Sequence, residues 1–320
     1  MPEELYLIVT IDVEEDNWEP TRQNITCENV KEILKINHLF KDYNIKPTYL
    51  LTYPVAMNPK AISIFQRLLL KGDCEIGAHL HPWNTPPFKE ELISKNTFLN
   101  NLPGELIIEK LQTLTNVIEQ KIGVKPKAFR SGRWGISENI IKALILCNYK
   151  IDTSITPFTL WEENKGESNR WKENFQPFWI SSHILEVPVT IGFNRWPFAR
   201  YYAIHESIRK SPLKWLRLIG WAHHIGLLKK IWLTPELYSA ADMLQLTKLL
   251  VSHKKNIINF TFHSNSLLPG LTPFVKTQKR LNDFYEQINI FFASIHKSFD
   301  VKSITLSETL YARRISLNSD

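Results

Sequence analysis

The 320-residue chain is poor in cysteine and glycine, with 3 and 11 residues. Cysteine is abundant in disulfide-rich and zinc-knuckle proteins, and glycine in the phosphate loops of nucleotide-binding proteins. Cys27, Cys74 and Cys147 are an odd number with no CxxC pair, so neither a disulfide framework nor a zinc knuckle is indicated. We expect all three to be reduced core residues. A Gly-rich phosphate loop, an internal repeat and a low-complexity tract are all missing from the sequence.

Long apolar runs are missing as well. No stretch approaches the ~18 uncharged apolar residues that a membrane span requires. The chain opens with Met1-Pro2-Glu3-Glu4, which is acidic where a signal peptide is basic. We therefore expect a cytoplasmic protein, and its 43% hydrophobic and 22% charged residues are typical of a folded globular chain.

The net charge of +7 arises in one segment. Between residues 195 and 230 there are eight Lys or Arg residues and one acid, Glu206. Trp215, Trp221 and Trp232 are interleaved with these charges. The segment is either a solvated helix or a surface for an anionic membrane, which would place the protein at the inner membrane face. Because no nucleic-acid-binding module is recognisable, we expect no nucleic-acid partner.

Short apolar runs alternate with amphipathic ones, which predicts an α/β fold with a largely parallel sheet. The predicted strands are 5–11, 47–52, 74–79, 127–130, 150–154, 185–191, 231–233, 257–262 and 303–306. Because the Gly-rich loop of doubly wound folds is missing, we favour a barrel. We predict one domain over residues 1–320, with an aromatic loop at 157–182 and a basic helical insertion at about 195–233. The tryptophans of that loop, Trp161, Trp171 and Trp179, either stack on a sugar or pack the loop onto the barrel.

Polar residues follow the apolar strands at the point where each strand ends: Asp12 and Glu14, His79 and His81, Arg130, Asp152, and His263. In a parallel barrel all these ends lie on the face where active sites form. Residues i and i+2 of a strand share a face, so Asp12 lies beside Glu14 and His79 beside His81. Such a set could hold a divalent metal, with zinc as the default; the alternative is solvated acids beside unrelated histidines.

These residues stand in motifs that resemble the polysaccharide deacetylases with a NodB-like domain, also called carbohydrate esterase family 4. The resemblance covers nearly the whole chain and rests on TIDVEED at 10–16, EIGAHLHPW at 75–83, FRSGRWG at 129–135 and FTFHS at 260–264. The LLPG sequence at 267–270 resembles a branch found among bacterial surface-polysaccharide proteins. The resemblance implies a distorted (β/α) barrel, usually seven-stranded, of the glycoside hydrolase/deacetylase superfamily.

The resemblance also implies roles for individual residues. Asp12 matches the general base, His263 the general acid, and Arg130 the arginine that orients the catalytic acid. Glu14 and His79 match metal ligands, with Zn²⁺ expected and Ni²⁺, Co²⁺, Mn²⁺ or Fe²⁺ as alternatives. We also assign substrate contacts to the motif residues Arg133, Trp134 and Trp83, and to Asp152 at the end of its predicted strand. The backbone N–H of Arg133 would lie near the oxyanion, and Asp152 is equally a supporting acid or a cap.

One departure concerns the second metal histidine, which many family members place four residues after the first. That position is Trp83 here, and His81 is the available substitute. His81 can ligate only if the backbone stays extended beyond His79. We expect a deacetylase of amino sugars in a surface polysaccharide or its lipid-linked precursor. A non-catalytic glycan-binding member of the fold and a hydrolase of another C–N bond remain open.

Overall fold

A computed structural model describes residues 2–161, 171–210 and 228–311, and its main feature is a curled nine-stranded sheet. The strands are β1 (Glu4–Val13), β2 (Thr48–Leu51), β3 (Glu75–Leu80), β4 (Ala128–Ser131), β5 (Ile151–Asp152), β6 (Phe178–Trp179), β7 (Leu185–Glu186), β10 (Ile257–His263) and β11 (Asp300–Ser303). A separate pair joins β8 (Ile191–Phe193) to β9 (Lys230–Trp232). The main sheet runs β10-β1-β2-β3-β4-β5-β7-β6. Its first seven strands are parallel, and β11 pairs with the start of β1.

The open side of the sheet, between β7 and β10, is bridged by single hydrogen bonds. The Thr190 N–H donates to the Asn259 carbonyl, and the Leu233 N–H donates to the Thr190 carbonyl. The Thr261 N–H then donates to the Leu233 carbonyl. The predicted distorted barrel is thus confirmed, with its irregularity concentrated between β7 and β10.

Eight α-helices lie among the described residues: α1 (Ile33–Asp42), α2 (Tyr53–Met57), α3 (Pro59–Leu70), α4 (Gly104–Ile122), α5 (Glu138–Leu146), α6 (Phe198–Lys210), α7 (Ala240–Ser252) and α8 (Gln278–Ser298). Their ends follow local chemistry. The Ser137 hydroxyl accepts from the Ile140 N–H at the start of α5. Gly123 ends α4 at φ 93°, a left-handed conformation that suits glycine.

Two layers of apolar residues hold the barrel together. Alternate residues of β1 point outward to the helices or inward to the barrel axis. Ile8 points inward and packs with Leu50, Ala128 and Ile151 at the bottom of the barrel. Val9 belongs to the larger outer core beneath the helices. The three cysteines are buried and free, as predicted.

Two predicted strands differ from the structure. The run 185–191 is divided into β7 and the start of β8, because Pro188 has no N–H to continue the ladder. The last strand lies at Asp300–Ser303 and not at 303–306. Leu306 is apolar because it closes the bottom of the barrel, where it packs with Ile8.

Candidate functional site

The carboxyl ends of the parallel strands surround a cavity of about 520 Å³. Asp12 and His263 face each other in register on β1 and β10, and His79 faces Arg130 on β3 and β4. The cavity is lined by ionisable and aromatic side chains: Asp12, Glu14, Trp18, Glu19, His79, His81, Trp83, Phe98, Arg133, Trp134, Trp161, Trp232, Glu236, Phe262, His263 and Phe274. Sequence positions from 12 to 274 therefore meet at one end of the barrel.

Arg130 fixes Asp12 from inside the barrel. Its Nη1 atom lies 2.6 Å from Asp12 Oδ1 and 2.9 Å from Thr261 Oγ1. Nη2 donates to Thr10 Oγ1 and Thr153 Oγ1, and Nε donates to the Thr153 carbonyl. All five guanidinium N–H groups thus have acceptors, which makes this fully buried cation a rigid support. Arg130 contacts Oδ1 of Asp12, and the other carboxylate oxygen, Oδ2, faces the cavity.

Glu14 brings His79 and His81 together. The Nε2 atoms of both histidines lie 2.9 Å from Glu14 Oε1. Although burial alone raises the pKa of Glu14, the charge of His81 and the hydrogen bonds from both imidazoles hold it well below its usual range. The carboxyl group is therefore an anion beside two imidazole nitrogens.

These three residues form a donor set suited to a divalent cation. Their ligand atoms lie within 4.8 Å of one another, as do those of the overlapping set Asp12, Glu14 and His263. His79 Nδ1 lies 3.0 Å from the Arg130 carbonyl and donates to it, so Nε2 is the nitrogen that would offer a lone pair to a cation once it gives up the proton it donates to Glu14. Neutral imidazole nitrogens with a carboxylate oxygen match zinc and neighbouring transition metals. The residues fit the metal that the resemblance implies, and the ion's identity stays a prediction.

His81 reaches Glu14 because β3 stays extended as far as Leu80. Two neighbours adjoin the side chain. The Trp83 ring lies 4.1 Å from the His81 ring at 36°, and Gly132 has no Cβ to obstruct the imidazole. Trp83 thus supports His81 and closes one wall of the cavity.

Glu236 holds His263 and was missed by the sequence prediction. Its carboxylate accepts from the His263 backbone N–H at 3.1 Å and lies 3.1 Å from Nδ1. Burial alone lowers the pKa of His263, but the charge and hydrogen bond of Glu236, together with Glu14 and Asp12, raise it to about 10. His263 Nε2 points to Asp12, 3.9 Å from Oδ2. Glu236 comes four residues after β9, in the loop that follows the strand, so the strand-end argument used for the other residues does not reach it.

Aromatic side chains form much of the remaining cavity wall. Trp134 meets Trp232 edge to face at 6.2 Å between ring centroids, and Trp161 also lines the cavity. Trp18, which the sequence prediction missed, lies edge-on to His263 at 5.3 Å. Such rings suit the C–H faces of a sugar and exclude water from the reacting atoms.

Arg133 lies in a strained turn at the cavity wall. It has φ 54° and Trp134 has φ 58°, so two successive non-glycine residues adopt the left-handed region. The Arg133 guanidinium lies over the rings of Trp83 and Phe98 at 5.2 and 5.3 Å. Both residues predicted from this motif, Arg133 and Trp134, therefore reach the cavity.

Asp152 does not reach the cavity, so the prediction that it contacts substrate is wrong. Thr153 points into the barrel toward Arg130, and successive strand side chains point to opposite sides. Asp152 is fully buried, accepts from the Ser154 hydroxyl and lies in register with Glu186. Burial raises the pKa of Asp152 to about 6 and raises that of Glu186 well above its usual range. The two acids form a buried pair.

The basic segment is described only in part, because Trp215, Trp221 and residues 211–227 in general lie outside the described residues. Lys229 Nζ lies 2.6 Å from Asp242 Oδ1. Lys230 Nζ donates to the Phe158 carbonyl and to Thr159 Oγ1, and burial lowers its pKa to about 8. These contacts do not support a membrane-facing role for either lysine. Within the described ranges, no helix has the length and apolar character to cross a bilayer.

The curled parallel sheet with a polar cluster at its carboxyl edge is that of a NodB-like barrel. No protein-family model and no curated protein sequence matches the chain. Among solved structures, it is similar to a protein from Mycobacterium smegmatis assigned as a polysaccharide deacetylase, with 13% identity and a TM-score of 0.56. That alignment covers 98% of this chain and 91% of the other. The predicted resemblance is thereby confirmed at the level of the fold.

A second solved structure shares the fold with a different named activity. It is a 4-alpha-glucanotransferase from Thermococcus litoralis, with 13% identity and a TM-score of 0.53. The alignment covers 97% of this chain and 40% of that longer one. Because the two similar structures are named for different activities, the fold does not identify the reaction of this chain, which has to be argued from its site.

Proposed function

We propose that this chain is a metal-dependent hydrolase that removes N-acetyl groups from amino sugars of a surface polysaccharide or its lipid-linked precursor. The observation that supports the proposal is the meeting of three functional units in one cavity: the Asp12–Arg130 pair, the His263–Glu236 pair, and Glu14 with two histidines. Hydrolysis of an amide needs a general base, a general acid and stabilisation of the negative charge that develops on the carbonyl oxygen. These three units provide one each.

Asp12 and His263 carry out the two proton transfers of the proposed reaction. Arg130 occupies Asp12 Oδ1, so Oδ2 is the atom that accepts a proton from the attacking water. His263 is cationic at neutral pH because Glu236 raises its pKa, and its Nε2–H donates to the departing amine nitrogen. This donation matters because an amine leaves poorly unless it is protonated. A divalent cation held by Glu14, His79 and His81 would polarise the amide carbonyl and lower the pKa of water.

The metal requirement is tested by elemental analysis of protein purified without chelators. We expect about one equivalent of metal in wild type, and its loss in His79→Ala and in His81→Ala. His183→Ala, a substitution at an exposed histidine outside the cavity, is the matched control. A wild type that carries no metal and gains none from zinc or nickel would contradict the proposed metal site.

The reaction is tested by acetate release from N-acetylated amino sugars. Asp12→Asn and His263→Gln should each lower the rate by at least ~10²-fold, the usual contribution of one acid or base. His183→Gln should leave it unchanged. Glycan binding without acetate release in wild type would favour a non-catalytic binding protein, and hydrolysis of another amide without release of acetate would favour a different C–N hydrolase.

A further inference from the structure

Asn259 is a polar side chain buried inside the barrel, on the bottom side of the cavity. It lies on β10 four residues before His263, and its backbone is in register with Ile8 of β1. The exposed fraction of Asn259 is 1%. A buried amide is costly unless its hydrogen bonds are made, so the partners of this side chain indicate its role.

Two threonine hydroxyls are the side-chain partners of the Asn259 amide. Thr10 Oγ1 donates to Asn259 Oδ1 at 3.0 Å, and Asn259 Nδ2 donates to Thr153 Oγ1 at 3.1 Å. Nδ2 also lies 3.4 Å from the carbonyl oxygens of Val187 and Pro188, on the open side of the sheet. Because only the NH₂ end of an amide can donate to carbonyl oxygens, these two contacts fix which way the amide points. Its oxygen therefore faces the Thr10 hydroxyl.

The same two hydroxyls accept from Arg130 Nη2, at 2.8 Å for Thr10 and 3.2 Å for Thr153. A hydroxyl has one proton, and a hydrogen bond from Nη2 requires that this proton point elsewhere. Asn259 Oδ1 accepts the Thr10 proton, and a backbone carbonyl accepts the Thr153 proton at 2.6 Å. The other acceptor near Thr10, the Phe260 carbonyl, is farther away at 3.4 Å. Asn259 thereby keeps the lone pairs of the Thr10 oxygen turned toward the guanidinium.

The guanidinium carries this arrangement to Asp12. It is planar and rigid, so the acceptors of Nη2 also set the direction of Nη1. Nη1 lies 2.6 Å from Asp12 Oδ1. Asn259 is thus joined to the carboxylate by a chain of three hydrogen bonds, through Thr10 and Arg130. A change at Asn259 that lets the guanidinium turn would alter the direction of Asp12 Oδ2.

We propose that Asn259 is a positioning residue for Asp12. The proposal rests on the proposed function, in which Asp12 is the general base, and adds to it a residue from outside the cavity. Thr10 and Arg130 are fully buried and Asp12 is 2% exposed, so water does not compete for the hydrogen bonds between them. A misdirected base lowers kcat, whereas the groups that bind substrate and metal stay in place.

The test is acetate release by Asn259→Leu, a substitution of similar volume that makes neither hydrogen bond. We expect kcat to fall about tenfold, the lower end for a hydrogen bond to a charged group, with KM and zinc affinity unchanged. Asn259→Ser, whose side chain is too short to reach Thr10, should show the same result and serves where the leucine variant does not fold. Thr115→Val in helix α4 is the matched control, because it removes a buried hydrogen bond to Tyr149. It should leave kcat unchanged.

NMR of protein with ¹⁵N-labelled arginine follows Arg130 without substrate, and so separates this proposal from the proposed function. The Nη protons of a guanidinium that is held by acceptors on all sides give separate signals, which merge once the group rotates. Merged Arg130 signals in the Asn259 variants support the positioning role even if wild type releases no acetate. Unchanged Arg130 signals in a folded variant, or an unchanged kcat where wild type is active, overturn it. An equal fall in kcat in Thr115→Val overturns it as well.

Discussion

Replacement of Gly132 by alanine should weaken metal binding although it removes no ligand. An ideal Cβ at position 132 would lie 2.5 Å from His81 Cε1 and 2.8 Å from Cγ, against about 3.5–4.0 Å for ordinary carbon contacts. The imidazole would have to move by roughly 1 Å. The Trp83 ring lies 4.1 Å from the His81 ring between centroids, which limits the directions in which the imidazole can move.

The expected loss has two parts. Displacement of His81 from Glu14 Oε1 should lower Zn²⁺ affinity by about 10–100-fold, the usual effect of disturbing the support of a metal ligand. Overpacking should lower the free energy of unfolding of the metal-free protein by about 1–3 kcal/mol. Zinc affinity is measured by calorimetric titration of metal-free protein, and stability by denaturant unfolding.

Gly104→Ala is the matched control, because its Cβ would lie 3.4 Å from Asn139 Cγ at the nearest. That distance is close to an ordinary contact, and the position begins helix α4, where alanine is favourable. We expect unchanged zinc affinity in this variant. Wild-type zinc affinity in Gly132→Ala would refute the argument that His81 is positioned by the space at Gly132.

Three further predictions follow from buried polar contacts. Glu236→Gln should lower the pKa of His263 from about 10 toward ~6.5 and move the alkaline decline of activity to lower pH; an unchanged imidazole titration by NMR would contradict this. Lys110→Met should cost about 3–5 kcal/mol of unfolding free energy, because the three N–H groups of the buried ammonium are within hydrogen-bond distance of three backbone carbonyls and the Glu90 carboxylate; denaturant unfolding measures it. Burial raises the pKa values of Asp152 and Glu186. Above pH ~4 the unfolded chain has lost these protons, whereas the folded pair retains them. The free energy of unfolding of wild type should therefore fall as the pH rises from ~4 through 6 and above. Glu186→Gln should remove most of this decline in unfolding free energy between pH 5 and 8, and an equal slope in both proteins would refute the argument that the buried pair retains protons in the folded state.

Several site residues were predictable because strand geometry is local. A side chain at the end of a buried parallel strand lies at the carboxyl edge of the sheet wherever the rest of the chain goes. This rule located Asp12, His79, Arg130 and His263. It failed for Asp152 because β5 has only two residues, and a shift of one position turns a side chain to the opposite face.

The amino-acid sequence by itself determined the alternation of strands and helices, the barrel class, and the residue types at the strand ends. The tertiary structure decided which side chains make contact. The Glu236 carboxylate meets His263 because the loop after β9 folds back toward β10, and Gly132 gives His81 its space because the turn after β4 lies against the end of β3. Contacts between segments distant in the chain depend on loop paths and on available volume, which no local pattern encodes.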